Sequence, residues 1–373
     1  MNRCPERSWR RGASARLGAA FAILSLAAAA AGAAPSYLSV TPVAGKYAAA
    51  VDLNDGGRYA VNNFGPDIPI EPAYISGQPL NENVDSLGGN ITRIRSINNK
   101  GQAVGESSTA DGSLHPFFHA SGRTQDLSAR YGIGSVNALN DRGDITGQTT
   151  DLRAMVIRDG RVDVVGPAGS VAGAINQAGD MLVEYYPPGR GIVTCVYSHG
   201  RCTDLPAFGT QSVASAINDA GWVSGTATAG DGRRHGWLYD GRTIADLTPA
   251  AANGAAYDVN DLGQVVGTMD QRAFLYADGR LIDLNTFVDP QADLLLTSAY
   301  AINNDEQILA RTCDRAGVFC YGTVLLSGIP AVPEPPAAAM LVLALGLLAA
   351  RRARRWRVRP LRPACRFRPG GPG

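Results

Sequence analysis

Short runs of apolar and β-branched residues alternate with polar turns along most of the chain. The clearest stretch surrounds Asn260, where strand-like runs at residues 257–260, 264–269, 272–276 and 280–284 are separated by Asp-Leu-Gly and Asp-Gly turns. Gly and Asn accept the positive φ that tight hairpin turns need, and aromatic and β-branched residues favour strands. This stretch therefore predicts four antiparallel strands in about 42 residues.

The same pattern recurs seven times. Each copy carries an Asn that follows an apolar run and opens a turn, and these asparagines are Asn54, Asn98, Asn140, Asn176, Asn218, Asn260 and Asn303. They are separated by 44, 42, 36, 42, 42 and 43 residues. A fixed period with four strands in each unit is typical of a propeller blade. The sequence therefore predicts an all-β fold, a seven-bladed β-propeller over residues 34–330, with an open β-solenoid as the alternative.

Ring closure gives this prediction an internal check. The last copy supplies a third strand at residues 321–326 but no fourth, whereas a strand-like stretch at residues 37–43 precedes the first copy. If the N-terminal stretch is the outer strand of the last blade, the ring closes and no strand edge is left exposed.

The repeats resemble the HAF family of extracellular repeats, named for a His-Ala-Phe step at the start of the third strand. Here the step reads His-Pro-Phe at 115–117, His-Gly-Trp at 235–237 and Arg-Ala-Phe at 272–274. The family's Gly, at the seventh position after the Asn, is present in four copies and replaced by Val or Ala in three. The glycines are Gly105, Gly147, Gly225 and Gly267, and the replacements are Val61, Val183 and Ala310. This resemblance implies repeat architecture and export, and it implies no particular chemistry.

Residues 1–33 have the organisation of a secretory signal peptide. Five arginines precede an apolar stretch, and Ala31-Gly32-Ala33 forms an A-x-A cleavage site. An uncleaved N-terminal anchor is the alternative, because the apolar run approaches the ~20 residues that a membrane span needs.

The C-terminal end carries a second targeting signal. The motif Val332-Pro333-Glu334-Pro335 lies in a linker at residues 331–336 and is followed by an apolar span at 337–350 and a basic tail at 351–373. The tail begins with an arginine cluster formed by Arg351, Arg352, Arg354, Arg355 and Arg357. Such a span predicts a short transmembrane helix, with the arginines holding its end in the cytoplasm.

This order of motif, span and arginines resembles the PEP-CTERM sorting domain of Gram-negative bacteria. The resemblance implies an exosortase-type membrane protease as partner, transient anchoring in the inner membrane, removal of the anchor, and export to the cell surface or extracellular matrix. The chain departs from the family in the length of its tail, which continues to Gly373.

The cysteines fit an exported chain. Cys195 and Cys202 flank a predicted turn at His199-Gly200, and Cys313 and Cys320 flank another at residues 314–317. Each pair is predicted to form a hairpin disulfide. A metal site is the competing interpretation, but the spacing matches none of the short zinc-knuckle patterns.

Charge is unevenly distributed. The chain as a whole has a formal charge of +1, but residues 34–333 hold 20 basic and 31 acidic side chains, a formal charge of −11. An acidic globular part argues against nucleic acid as a partner, because phosphate binding needs a basic surface.

The repeated polar residues are assigned to structure. Asn-Asp pairs after the strands could bind calcium, but each turn lacks the spaced Asx residues of a ligand loop. The histidines, His115, His119, His199 and His235, form no visible triad or metal set, and the Asp-Leu steps at Asp126, Asp204, Asp246 and Asp283 repeat too regularly for a catalytic dyad. We therefore expect no metal, no cofactor and no catalytic residues.

Function is expected where the repeat is broken. The candidates are an insertion at 64–95, the segment 185–190, a loop at 285–300, and the aromatic residues Trp222, Trp237, Tyr185 and Tyr186 as ligand contacts. A place in the hydrophobic core is the alternative for the two tryptophans, since two in one blade are more often core residues. The leading hypothesis is a non-catalytic surface or matrix protein that binds a polysaccharide, such as exopolysaccharide, or a protein. The alternative is an extracellular glycan hydrolase or lyase with its site in the propeller channel.

Overall fold

The computed structural model describes residues 38–45, 47–64, 72–77, 80–317, 319–320 and 322–328. Over these residues the chain forms seven four-stranded antiparallel sheets, arranged as the blades of a propeller. The predicted seven-bladed β-propeller is confirmed, and the open solenoid is not adopted. The predicted transmembrane helix at 337–350 lies outside the described residues.

Blades one to three contain the following elements. Blade one has β2 (Ala48–Leu53), β3 (Tyr59–Asn63), β4 (Ala73–Ile75) and β5 (Glu82–Val84), and β1 (Ser39–Ala44) precedes it. Blade two has β6 (Gly88–Ile97), β7 (Ala103–Thr109), β8 (Leu114–Ala120) and β9 (Arg123–Asp126), followed by α1 (Leu127–Tyr131). Blade three has β10 (Ile133–Leu139), β11 (Ile145–Thr149), β12 (Arg153–Arg158) and β13 (Arg161–Ala168).

Blades four to seven repeat the arrangement. Blade four has β14 (Val171–Ile175), β15 (Met181–Tyr185), β16 (Val193–Ser198) and β17 (Arg201–Asp204). Blade five has β18 (Thr210–Ile217), β19 (Val223–Thr228), β20 (Arg234–Tyr239) and β21 (Ile244–Asp246). Blade six has β22 (Gly254–Val259), β23 (Val265–Met269), β24 (Arg272–Ala277) and β25 (Arg280–Asp283), followed by a 3₁₀ turn at Leu284–Phe287. Blade seven has β26 (Leu295–Ile302), β27 (Ile308–Cys313) and β28 (Thr323–Ser327).

The ring closes through the N-terminal strand. The sheet of blade seven has the order β1-β28-β27-β26, and β1 pairs antiparallel with β28 from Ser39 opposite Ser327 to Ala44 opposite Thr323. The outer strand expected at 37–43 is thus present, shifted by one or two residues. The first and last segments of the propeller are held together by backbone hydrogen bonds, so the ring is closed and β28 is paired on both sides.

Two stretches that we expected to be irregular contain strands. The stretch 64–95 holds β4, β5 and most of β6, and the stretch 285–300 holds the 3₁₀ turn and the start of β26. The strands β4 and β5 have three residues each, too few for alternation to be visible in the sequence. The insertion in blade one is therefore confined to the connections between its strands.

The hydrophobic core lies between neighbouring blades. One cluster joins Leu182 of blade four to Ile217, Val223 and Trp237 of blade five, and equivalent clusters fill the other described blade junctions. Small and β-branched residues dominate the inner strands, where the blades approach the axis. Each inner strand carries a bulge or register shift before its Asn, as between Ala50 and Asp52. Such bulges increase the local twist of the blade.

Candidate functional site

The seven repeat asparagines form a closed hydrogen-bonded ring. Each one is buried at the turn between the first and second strands of its blade, and its Nδ2 donates to the main-chain carbonyl of the next repeat Asn. The seven donor-acceptor distances are 2.9–3.1 Å, and Asn303 closes the circle by donating to Asn54. Each Oδ1 also accepts a main-chain N–H four residues later, at 2.8–3.0 Å. These side chains tie the blades together and leave no polar atom for a ligand.

The residues that follow these asparagines form a second ring. Each main-chain N–H donates to the side-chain oxygen of its counterpart in the next blade at 2.7–3.0 Å. The members are Asp55, Asn99, Asp141, Gln177, Asp219, Asp261 and Asn304. Burial, and then the facing carboxylates of Asp261, Asp55 and Asp141, raise the pKa of Asp219. Among the described residues no group of His, Cys, Asp or Glu is arranged as a metal site.

Neither ring follows from the local sequence pattern. The repeated Asn-Asx step indicates only a turn within one blade. The hydrogen bonds join residues about 42 positions apart, which meet only when one blade packs against the next, and the bond from Asn303 to Asn54 also needs closure of the ring.

The His and Asp of the repeat form one pair within each blade that carries both. The Nδ1 atoms of His115 and His235 lie 2.7 Å from the Oδ2 atoms of Asp126 and Asp246. In blade six, Arg272 takes the place of His and its Nε donates to Asp283 at 2.6 Å. The other carboxylate oxygen accepts the main-chain N–H of the turn that follows, so the pair fixes the end of the fourth strand.

Asp126 illustrates the balance in these pairs. Burial alone would raise the pKa of Asp126, but hydrogen bonds from the Ala129 N–H and from His115 outweigh it and lower that pKa. The carboxylate is therefore kept ionised as the partner of His115 and as the N-cap of α1. This is the environment of a structural pair.

The inner strands line a central cavity of about 510 Å³. Asp52 of blade one lines this cavity, and Asp258 occupies the equivalent position on the inner strand of blade six. Burial raises the pKa of each to about 6, and the charge of Asp258 adds to the effect on Asp52. Each side chain accepts the N–H of the next residue and an N–H from the neighbouring inner strand, Ile97 for Asp52 and Ile302 for Asp258, at 2.7–2.9 Å. The two carboxylates therefore link inner strands across the junctions between blades.

The four cysteines of the propeller are paired as predicted. Cys195 is bonded to Cys202 in the β16–β17 hairpin, and Cys313 is bonded to Cys320 at the end of β27. His199 occupies the turn of the first hairpin with a φ of 49°, in the left-handed region. Both disulfides close local loops in the outer half of a blade.

The structure separates the four aromatic candidates. Trp237 is 1% exposed and packs between blades four and five, whereas Trp222 covers the Gly263 turn of blade six. The hydroxyl of Tyr185 donates to Asp204 at 2.7 Å, and Tyr186 is 63% exposed. Trp237 and the segment that begins at Tyr185 belong to the same blade junction.

A groove of about 370 Å³ lies at this junction. It is lined by the β15–β16 connection from Arg190, by the start of β16, by the link from blade four to blade five, and by Trp237. Two of its polar atoms, Thr194 Oγ1 and Trp237 Nε1, are buried without a hydrogen-bond partner among the described residues. Buried polar groups are normally paired, so these two are exceptions that need an explanation.

The backbone at the groove is also unusual. Gln211, the second residue of β18 and part of a register irregularity between Thr210 and Val213, has a φ of 51°, which side chains other than Gly, Asn and Asp rarely adopt. At the mouth, Arg190 Nη1 lies 3.7 Å from Asp204 Oδ2, and Arg190 is the sole charged residue in the lining. Left-handed residues outside simple turns often mark functional sites.

Glu184 stands beside this groove. It pairs with Thr194 across β15 and β16, so the two side chains project from the same face of blade four. Leu182, on that same face, packs in the cluster that contains Trp237. Burial raises the pKa of Glu184, and within the described part of the chain its carboxylate has no hydrogen-bond or ion-pair partner.

Other predicted residues lie outside the described part of the chain. These are the signal peptide at 1–33, the sorting motif Val332–Pro335, the apolar span at 337–350 and the arginine cluster from Arg351 to Arg357. In the residues that the structure describes, no helix has both the length and the apolar character needed to span a membrane.

Sequence comparisons identify no relatives. No family model matches the chain. No characterised protein gives a significant sequence match.

Solved structures do resemble it. The β-propeller domain of the Trilobed protease from Pyrococcus furiosus aligns with a TM-score of 0.52 at 11% identity, over 78% of this chain and 100% of that one. An acylaminoacyl peptidase aligns with a TM-score of 0.50 at 12% identity, over 79% of this chain and 51% of the peptidase. The chain thus spans about half the length of that peptidase.

These likenesses concern the fold alone. The BP39L lectin from Burkholderia pseudomallei aligns more weakly, with a TM-score of 0.37 at 11% identity over 74% of this chain and 97% of the lectin. The Trilobed protease propeller is described as having an open velcro topology, whereas here β1 pairs with β28. The chain is therefore similar to known β-propellers in architecture and differs from that domain in how its ring is closed.

Proposed function

We propose that this chain is an exported, non-catalytic β-propeller that binds a polysaccharide or a protein at the cell surface or in the exopolysaccharide matrix. The observation that carries the proposal is the groove between blades four and five, with its two unpaired buried polar atoms. The repeated polar residues that resemble catalytic or metal sites are hydrogen-bonded within the scaffold. The groove is where the repeat is broken and where polar groups remain for a ligand.

Export is supported by the cysteines and by charge. Disulfides persist in oxidising compartments, and the four cysteines of the propeller are paired with one another. The proposed targeting signals are the N-terminal signal pattern, the sorting motif and the arginine cluster. We propose that an exosortase-type protease removes the C-terminal anchor after transient insertion in the inner membrane.

The address can be tested by mass spectrometry of the protein released from its host. The proposal predicts peptides that begin near Ala34 and none from residues 337–373. Released protein that retains the apolar span and the arginine cluster would show that the anchor is not removed.

The binding function can be tested on the purified protein with its host's own exopolysaccharide. Binding without the release of shorter oligosaccharides is the expected result. Depolymerisation would instead support an extracellular glycan hydrolase or lyase.

The enzyme remains the second candidate because of Asp52 and Asp258. A carboxyl group with a pKa of about 6 can act as a general acid near neutral pH. Both groups, however, already accept two main-chain hydrogen bonds at equivalent positions of the repeat, as structural residues do. Loss of a measured depolymerising activity in Asp52→Asn or Asp258→Asn would favour the enzyme.

A further inference from the structure

We infer that the groove between blades four and five binds a neutral sugar residue through Thr194, Trp237 and Glu184. The inference rests on the proposed binding function and names the ligand class of that site. It starts from the polar groups that the fold leaves unpaired at one junction.

Glu184 differs in chemistry from the residues at the same position of several other blades. It is the eighth residue after Asn176, and at this position three other blades carry a side chain that bonds to the next inner strand, whereas Glu106 of blade two pairs with Arg93 and Arg95. Asn62 donates to the Ile94 carbonyl at 2.8 Å, Gln148 to Ser170 at 2.9 Å, and Thr268 to Thr297 at 2.8 Å. An ionised carboxylate has no hydrogen to donate to a carbonyl, so Glu184 cannot form this bridge.

Thr194 and Trp237 are the polar side chains next to Glu184. The hydroxyl of Thr194, which is 7% exposed, lies beside Glu184 across the strand pair, and Trp237 is buried against the same face. A buried polar group without a partner destabilises the fold, because it has lost its hydrogen bonds to water and gained none in return. Two such groups on the lining of one groove, with a carboxylate beside them, indicate a site that is completed by a ligand.

The charge and the hydrogen-bonding groups of these three side chains indicate the class of ligand. The indole N–H of Trp237 can only donate, ionised Glu184 can only accept, and Thr194 can do both. An anion would satisfy Trp237 but be repelled by Glu184, and an amine would satisfy Glu184 but not Trp237. Neighbouring hydroxyl groups on one small unit satisfy all three, and Arg190 is already paired with Asp204. A neutral sugar fits this combination.

The backbone argues against a peptide. An extended peptide binds most readily to a free strand edge. Here β16, which lines the groove, is paired on both sides, with β15 and β17, and has no free edge. The groove offers side-chain groups in a cavity of about 370 Å³, a size suited to a compact ligand.

The test compares two buried hydroxyls that both lack a partner. Thr194→Val removes the one in the groove, and Ser224→Ala removes one in β19 that does not line the groove. Glu184→Gln supplies the donor that Gln148 uses, so it should restore the bridge between blades and remove the acceptor for the ligand. Since neither Thr194 nor Ser224 loses a hydrogen bond within the protein, both variants should fold.

The full chain and its variants are measured against neutral oligosaccharides of glucose, galactose, mannose and N-acetylglucosamine, with uronate oligomers and peptides as comparators. We expect binding to a neutral oligosaccharide, weakened about threefold to tenfold by Thr194→Val and Glu184→Gln and unchanged by Ser224→Ala. Glu184→Gln should also raise the midpoint of urea unfolding.

Three results would overturn the inference: binding only to uronates or peptides, no binding to any neutral oligosaccharide, or equal affinity in all variants. If exopolysaccharide still binds while Thr194→Val and Glu184→Gln have no effect, the assignment of the groove is wrong and the proposed binding function stands. If neither exopolysaccharide nor any oligosaccharide or peptide binds, the proposed function fails as well.

Discussion

Trp237 packs directly against Gly225 on the neighbouring strand of blade five. A Cβ atom at position 225 would lie 2.2 Å from Trp237 Cζ2 and 2.5 Å from the carbonyl oxygen of Val213. The two residues are paired across β19 and β20. The glycine of the repeat therefore makes room for the large side chain opposite it and for the inner strand.

The other blades follow the same relation. Glycine faces Phe117, Met155 and Phe274 in blades two, three and six. Where Val183 or Ala310 replaces the glycine, the facing residues are the smaller Cys195 and Val324. In blade one, Val61 faces Tyr74, which is only half-buried and so has space on its outer side. Outside blade one, a small residue thus offsets a larger one in each facing pair while the residues change.

Replacing this glycine should destabilise the fold. Gly225→Ala should lower the free energy of unfolding by about 1–3 kcal/mol, because the added methyl group overlaps both Trp237 and the Val213 carbonyl. Urea denaturation would measure the loss. Gly230→Ala, in the next turn of the same blade with no atom within 4 Å of the added Cβ, is the matched control. Equal losses in the two variants would contradict the packing account.

The asparagine ring predicts a difference between two adjacent residues. Asn98 is buried and bonded to the Asn140 carbonyl and the Gln102 N–H, whereas Asn99 is exposed. Asn98→Ala should cost about 2–3 kcal/mol of unfolding free energy because it leaves buried groups unpaired, and Asn99→Ala about 1 kcal/mol or less. Chemical denaturation of both variants checks this, and a larger loss in Asn99→Ala would refute the role of the ring.

The channel carboxylates predict the sign of a pH dependence. Asp52 and Asp258 titrate at about 6 in the folded chain and near 3.8 when unfolded, so between these values the folded chain binds more protons. Their contribution to stability is therefore greatest at acidic pH, falls as the pH rises from about 4 through 6, and is constant above. Relative to the double variant Asp52→Asn/Asp258→Asn, the wild type should lose on the order of 3 kcal/mol of unfolding free energy per group over this window. Urea unfolding at several pH values measures the difference in unfolding free energy between the wild type and the variant. A wild-type advantage that grows as the pH rises would contradict the prediction.

The disulfides should stabilise the outer hairpins of blades four and seven. Each closes a short loop, with a sequence separation of seven residues. Reduction of the Cys195–Cys202 bond should cost about 2 kcal/mol, because the unfolded chain gains the entropy of an open loop. Thermal unfolding with and without a reductant measures the change, and cross-linked peptides in a digest of the purified protein would verify the pairing. Identical melting curves would mean that the bonds are absent.

The sequence predicted the architecture well because its signals are local. The turn chemistry of the Asn-Asx-x-Gly steps fixes the hairpins, and the missing fourth strand after residue 326 pointed to closure by the N-terminal strand. Even the seventh turn, where Glu306 takes the place of glycine with a φ of 59°, keeps the geometry of the others.

The candidate site was predicted only in part. Trp237 and the segment from Tyr185 to Arg190 were singled out because they break the repeat. That they meet at one groove depends on the packing of blade four against blade five, and local pattern does not report such contacts. Thr194 and Glu184 carry no motif at all, and they stand out only when their missing partners are seen in three dimensions.

We propose that the repeated polar residues build the scaffold while ligand recognition lies in the groove between blades four and five. Hydrogen–deuterium exchange of the full chain, with and without its host's exopolysaccharide, tests this most directly. The account predicts slower exchange in residues 190–194 and 205–212 on binding, with the turns that begin at the repeat asparagines unchanged. Protection at those turns or along the channel wall, with none in the groove, would contradict it.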